Sequence, residues 1–512
     1  MAAMNSPLEI VRALTDEHVL RALMRHPRLT RAELATVANI SKPTAGESVR
    51  RLAEAGLVVD TGERTPGGRG RGRVGSYYAL APAVGTALVV DIAPEGVVAE
   101  RVDVYGETVA RATEPVSRPA EPAQVTRALQ AAVSALTDRP TPGRHGTASG
   151  HGTASGHGTA GDHDAVGEAG GRGGQAPRLA VVSAADPVDR ASGRLVQLPD
   201  SPFLVGDLDP VEVVGSYVTG PVTVDNDVNW AARAERDGDP GLRDFAYLYL
   251  GEGLGCAVVS DGEIRRGHSG LAGEIAHLVT TGPDGSATHL IEVFHRLGLR
   301  RPNSTAIDAE RLLDTLTAGT AGTAGTADTA GTAVERGGAA MDDSHAMRIR
   351  DAVATAVSGV LAAILALADP SVIVLGGSWG SHPTMAEAIG RAFAQSPRHA
   401  PVRAAAITDR PALAGARQAA ITDLRASIIA AGGPDGVGRG APGGVGRGAP
   451  GGVGRGAPGG VGRGAPGGVE RGAPGGVERG APGGVERGAP GGVERGAPGG
   501  VERGAPGGVE RG

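Results

Sequence analysis

Three stretches of this chain cannot build a packed core, and they decide how the rest can fold. Residues 139–176 carry the unit His-Gly-Thr-Ala-Ser-Gly, with His145, His151, His157 and His163 six positions apart. Residues 318–338 repeat Ala-Gly-Thr. From 432 to 512 an eight-residue unit recurs, GVGRGAPG passing into GVERGAPG, with Val at 437, 445 and every eighth position to 509. Neither a helical nor a strand period runs through them. Glycine raises the entropy cost of ordering, and little apolar area offsets it. All three are therefore expected to be disordered, and a repeat of eight is too short for a solenoid with its own core. The spaced histidines admit metal binding or plain repeat expansion. Two parts remain to fold, residues 1–80 and residues 81–431 with their inserts.

A formal charge of −6 names no partner, but its distribution is uneven. Residues 1–80 hold 12 Lys/Arg against 8 Asp/Glu, which places any nucleic-acid contact at that end. Cys256 is the only cysteine, so neither an intrachain disulfide nor a cysteine-based zinc site is available. No uninterrupted apolar run reaches about 18 residues, and no basic-then-apolar leader opens the chain. The expectation is a cytoplasmic protein without a membrane partner.

Residues 16–26 read as a helix with Val19, Leu20 and Leu23 on one face. Thr30 can cap a second helix over 31–37, with Glu33 in its first turn. Residues 38–40 make a turn, and Ser41 caps a third helix that tolerates Pro43, buries Val49 and Leu52, and stops at Gly56. A strand from Leu57, a Gly/Arg loop over 65–75 and a returning strand over 76–80 complete a winged helix-turn-helix. Laid in a major groove behind its cap Ser41, itself counted among the DNA-binding residues, the third helix would turn Lys42, Thr44, Ala45 and Ser48 toward base edges. Arg31, Arg50 and Arg51 would lie near phosphates, while Arg69, Arg71 and Arg73 of the loop suit a narrow A·T minor groove. The alternative is a small helical dimerisation module with a solvated basic loop.

The larger part carries strands at 85–92, 97–104, 107–112 and 178–184 and a helix at 123–136. The plan recurs with strands at 245–250, 255–259 and 371–375 and a hairpin turn at Asp261-Gly262. Two βββαβα halves around a cleft fit an actin-like ATPase (ribonuclease H-like) fold, so the whole chain is α/β. Residues 222–235, VTVDNDVNWAARAE, place Asn226, Asp227 and Asn229 at the end of an apolar run. Residues 267–277, GHSGLAGEIAH, offer Glu274 and His277 three apart. Carboxylates accept hydroxyl protons and amides both give and accept, as sugar recognition requires. The plainer readings are a strand-end helix cap for Asn226-Asp227 and an exposed helix pair for Glu274–His277.

With these motifs the chain resembles the ROK family of repressors and sugar kinases. The resemblance rests on Ser41-Lys42-Pro43-Thr44, on Asn226-Asp227-x-Asn229 with Ala231-Ala232, on residues 267–277, and on Val374-Leu375-Gly376-Gly377. It implies a two-lobed ROK domain behind the winged helix and a sugar site of Asn226, Asp227, Glu274, His277 and Glu292. In the kinases the residue matching Asp227 is the base; here it would be vestigial. Glu292 reads equally well as an ordinary helix-surface carboxylate. Cys256 reads as a small buried apolar residue.

Departures from the family pattern point away from catalysis. Where the kinases have Asp-x-Gly-Gly-Thr, this chain has Asp91-Ile92-Ala93-Pro94-Glu95. Pro94 lacks an amide donor, and Glu95 opposes phosphate. In the second glycine loop, Glu252 stands between Gly251 and Gly253 where a hydroxyl would meet phosphate. The family's zinc cysteines are missing around residues 278–292, leaving His277 and His289, and Ala276 replaces a glycine. No cofactor is therefore expected. The expected protein is a transcriptional regulator, a repressor, that binds double-stranded DNA as a dimer or tetramer and answers to a sugar effector. The alternatives are an active ATP-dependent sugar kinase and a DNA-binding scaffold without a ligand.

Overall fold

The computed structural model describes residues 7–433 except 66–74, 119, 138–174, 199–202, 204–206, 303 and 322–332. The histidine repeat, the arginine loop with Arg69, Arg71 and Arg73, and the octapeptide tail beyond 433 lie outside the described residues. The expected disorder of 318–338 fails at both margins, where the repeat extends the flanking helices through residue 321 and from residue 333. Alanine and threonine there continue a helix that neighbouring turns have already nucleated.

The first domain contains α1 (Pro7–Arg25), β1 (Leu29–Thr30), α2 (Arg31–Val37), α3 (Lys42–Glu54), β2 (Val58–Arg64) and β3 (Ser76–Leu80). Thr30 and Glu33 form a reciprocal capping box that starts α2, and the Ser41 hydroxyl accepts the Thr44 amide to start α3. Asn39 (φ 53°) and Gly56 (φ 72°) supply the left-handed corners on either side of α3. The three strands form one antiparallel sheet in the order β1-β3-β2.

Two sheets of matching design follow. The first lobe holds β4 (Ala87–Ala93), β5 (Gly96–Val102), β6 (Thr108–Glu114), α4 (Pro122–Thr137), β7 (Leu179–Ala184), α5 (Pro210–Gly215) and β8 (Val222–Asn226), with strand order β6-β5-β4-β7-β8. Between the sheets runs α6 (Asp227–Gly238). The second lobe holds β9 (Phe245–Leu250), β10 (Leu254–Ser260), β11 (Glu263–Ile264), the small hairpin β12 (Val279–Thr281) and β13 (Ala287–His289), α7 (Leu290–Arg296), α8 (Ala309–Ala321), α9 (Ala333–Ala368), β14 (Val372–Gly376), α10 (Pro383–Phe393), β15 (Val402–Ala404) and α11 (Pro411–Gly432). Its main sheet runs β11-β10-β9-β14-β15. Each sheet joins an antiparallel three-strand meander to a parallel trio, so the chain repeats one plan twice. The central strands β4, β7 and β9 are buried almost residue for residue, as parallel strands covered on both faces must be. Asp261 and Gly262, both at positive φ, make the β10–β11 turn.

One apolar core is continuous from the winged helix into the first lobe. It joins Leu20, Leu23, Leu52 and Leu57 to Val89 and Val181 through Leu413, Ala420, Leu424 and Ile428 of α11. Gly432, at the end of α11, meets Leu20, Leu52 and Leu57. In the second turn of α11, Gly415 passes so close to α6 that an added Cβ would stand 1.9 Å from the Trp230 carbonyl oxygen. Residues 344–368 of α9 form a helix long and apolar enough to cross a membrane, but half of that window is buried and it packs in the second lobe's core.

Candidate functional site

The cap Ser41 is exposed, and the outward positions of α3 include Lys42, Thr44, Glu47 and Arg50. Ala45 and Ser48 are fully buried, so neither faces a base edge. The signal was present in the sequence: Ala45, Val49 and Leu52 at i, i+4, i+7 mark the core stripe, and Ser48 lies on it. Ser48 donates to Asp16 of α1, and Arg51 grips the same carboxylate through Nε (3.0 Å) and a terminal nitrogen (2.7 Å). Arg51 therefore braces α1 against α3 and does not extend toward a phosphate. Arg50 is engaged by Glu47 and Glu54 at the surface. Arg31 stacks on Tyr78 and Arg28 on Tyr77, which fixes both cations beside the wing strands.

In the large domain the lobes enclose a cavity of about 130 Å³ lined by Asn226, Asp227, Glu274 and His277 among others. Asn226 ends β8 and caps α6, its oxygen accepting the Val228 amide at 3.0 Å while its nitrogen donates to the Asp186 carbonyl at 3.3 Å. The plain cap reading is thus correct, and the same cap turns Asp227 into the cavity. Asn229 supports this turn from beneath, donating to Asp225 at 2.7 Å, and Arg266 closes on Asp225's other oxygen at 2.6 Å. Sequence reasoning missed Asp225 and Arg266, which are 41 residues apart.

Asp227 accepts the Val228 amide at 2.7 Å. Part of its surface faces the cavity, but the walls hold bulk water away. Burial raises its carboxyl well above the usual range, and the neighbouring Asp91 raises it further. Asp91, at the end of β4, is pushed up to about 6 by burial. Burial, with Asp186 nearby, pushes Glu274 up to about 7. Asp227 and Glu274 thus bring two carboxyls with raised proton affinity to the cavity wall, suited to a ligand rich in hydroxyls.

Residues 267–277 form no helix, so Glu274 and His277 are not an exposed helix pair. The segment runs as a succession of turns against β10, where the Cys256 amide donates to the Gly273 carbonyl at 2.9 Å. A Cβ on Gly273 would stand 1.7 Å from the Cys256 carbonyl oxygen, and one on Gly270 would stand 2.1 Å from that of Val188. Both glycines have positive φ. Glu292 does not line this cavity. It lies in the first turn of α7, where Ile291 faces the cavity and the next residue is turned by about 100°. Glu292 faces instead a neighbouring pocket with His277, His289 and Arg300. The His277 and His289 rings meet edge to face at 5.6 Å. The β12–β13 hairpin holds residues 279–289 by backbone pairing. Among the described residues no cluster of His, Cys, Asp and Glu is arranged to hold a metal ion. Two histidines and a hairpin without cysteine do not fit a tetrahedral zinc.

At the mouth of the cavity the lobes meet through charge. Pro94 and Glu95 make the tight β4–β5 turn, and residues 251–253 make the β9–β10 turn. Arg118, just after β6, spans the gap. Its Nε donates to the Pro94 carbonyl at 3.0 Å, and one terminal nitrogen reaches both Glu252 oxygens at 2.8 and 2.6 Å. Arg301 of the second lobe donates to the same carboxylate at 2.7 Å.

Two family patterns match. The pattern described as winged helix-turn-helix DNA-binding covers residues 12–59, and that described as the ROK family covers residues 163–422. Among curated proteins, a glucokinase of Halalkalibacterium halodurans is 42% identical over 69 residues, 13% of this chain and 21% of that protein. The bifunctional enzyme NanE/NanK of Brucella melitensis is 28% identical over 168 residues, 33% of this chain and 28% of that protein. The chain thus spans about a quarter of the length of these relatives. Among solved structures, a ROK family transcriptional regulator, described as a homolog of the E. coli MLC protein, aligns over 82% of this chain and 99% of its own, with 16% identity and a TM-score of 0.48. A ROK family glucokinase from Streptomyces griseus aligns over 65% and 99%, with 22% identity and a TM-score of 0.41.

Proposed function

This chain belongs to the ROK family and carries a winged helix ahead of the family's domain, and from that premise we propose that it is a transcriptional repressor whose two-lobed domain senses a sugar. The observation that carries the proposal is the shared core. The helix that places Asp227 in the cavity, α6, packs on α11, and α11 packs on the helices that would lie on DNA. A sugar that prefers one arrangement of the lobes would, through α11, favour one placement of the winged helix. Lys42 and Thr44 would meet base edges from the exposed start of α3, with Arg28, Arg31 and the arginines of the loop on the phosphates. Asp227, Glu274 and His277 would bond the sugar's hydroxyls. A dimer would match two half-sites, and action on DNA places the protein in the cytoplasm.

The test is a titration on DNA from the protein's own promoter region at two salt concentrations, with and without hexoses and their phosphates. Sequence-selective binding that one sugar alters is expected. Selective binding indifferent to every sugar would leave a scaffold, and no selective binding would overturn the regulator.

A second reading, an active sugar kinase, is favoured by Asp227 lining the cavity between the lobes with the buried Asp91 close enough to raise its carboxyl. Against it stand Pro94 and the carboxylate of Glu252 at the two turns where a nucleotide's phosphates would need donors. ATP-dependent turnover of a hexose would decide for it.

A further inference from the structure

Arg118, Glu252 and Arg301 form a closed charge bridge across the mouth of the cavity. Arg118 belongs to the first lobe and is anchored there on the Pro94 carbonyl. Glu252 and Arg301 belong to the second, where the Glu252 backbone carbonyl accepts the Ile307 amide at 2.9 Å. Both Glu252 oxygens are used, and its side chain is only 22% exposed, so water competes weakly for the carboxylate. Two guanidinium groups on one carboxylate leave a positive excess at this point. Glu95, 3.6 Å from Arg118 and largely exposed, offsets it only partly. Planar guanidinium pairs of this kind bind carboxylate and phosphate alike.

We propose that Glu252 is a tethered anion. Its carboxylate occupies an anion site on Arg118 of the first lobe and so latches the cavity shut, and a free phosphate-type anion that takes its place on Arg118 alone releases the latch. The proposal does not depend on what the cavity binds or on DNA.

The chain supplies its own reporter. Cys256 is its only cysteine, is 4% exposed and lines the cavity behind the bridge. Its thiol is buried there, so a reagent reaches it faster when the lobes part. The experiment follows the rate of Cys256 modification by a maleimide in the full chain, with the melting temperature measured alongside. Glu252→Gln and Arg118→Gln are each expected to speed the reaction on the order of tenfold, the ratio that a single charge-assisted hydrogen bond supports. The double variant is expected to react no faster than either single one, because both remove the same contact. Inorganic phosphate is expected to speed the wild type beyond chloride at equal ionic strength, and to leave Arg118→Gln unchanged. Single variants that react at the wild-type rate, or effects that multiply in the double variant, would overturn the latch. Phosphate without effect on the wild type, or with equal effect on Arg118→Gln, would overturn the anion site, and the first of these outcomes requires no variant to fold.

Discussion

Asp91 and Glu274 hold protons in the folded chain that they would release in the unfolded one. Burial has pushed them up to about 6 and about 7. Between the ordinary carboxylate range and those values the native state binds more protons than the unfolded state, so stability falls as pH climbs through that window and levels off above it. Asp91→Asn removes one such group. Its unfolding free energy is expected to fall less than the wild type's between about pH 4 and pH 6, a difference of about 1–3 kcal/mol, measured by denaturant titration across that range. Asp227→Asn keeps the shape and the helix start but loses the proton acceptor, and is expected to abolish any rise in melting temperature that a sugar gives the wild type. The position of Asp227 was legible in the sequence because a cap, a carboxylate and an apolar run are adjacent there. Its neighbours Asp91 and Glu274 come from distant segments, and only folding brings their fields together. The Arg118–Glu252 bridge, 134 residues apart in the chain, had no local signal at all.

At the scale of elements, caps and turns were readable and rotations were not. Ser41 and Thr30 announce helix starts because the capping chemistry is local. Which face of α3 points outward depends on how the helix leans on α1, and Asp16 decides that by drawing Ser48 and Arg51 inward. Arg51→Ala is accordingly expected to cost about 1–3 kcal/mol of stability by stranding a buried carboxylate, whereas Lys42→Ala is expected to leave stability unchanged and weaken DNA binding. Chemical denaturation and a DNA titration of both variants separate the two roles. The helix α1 also begins nine residues before its expected start. Leu8, Ile10, Val11 and Leu14 are exposed, and Ile10, Val11 and Leu14 lie on the side of α1 away from Val19, Leu20 and Leu23. Apolar residues on both faces blur the single stripe by which a helix is recognised.

At the scale of the molecule, the repeated βββαβα plan was legible from alternating strand and helix periods, because each half is encoded locally and twice, but each half adds a fifth strand, β8 or β15, that this plan lacks. The role of α11 was not, since the helix is apolar around most of its circumference and shows no preferred face. Gly415→Ala would force α11 away from α6 and is expected to weaken any effect of sugar on DNA affinity more than DNA affinity itself, as read by paired titrations. α11 also has a consequence for how the protein is made. On the ribosome the DNA-binding helices emerge first, yet the residues that finish covering Leu20, Leu52 and Leu57 lie near position 430. For most of translation the reader domain must wait with part of its apolar surface uncovered, prone to aggregate or to engage chaperones. Competence to bind an operator would then arrive only with the last helix, so unfinished chains would be poor rivals for the same site.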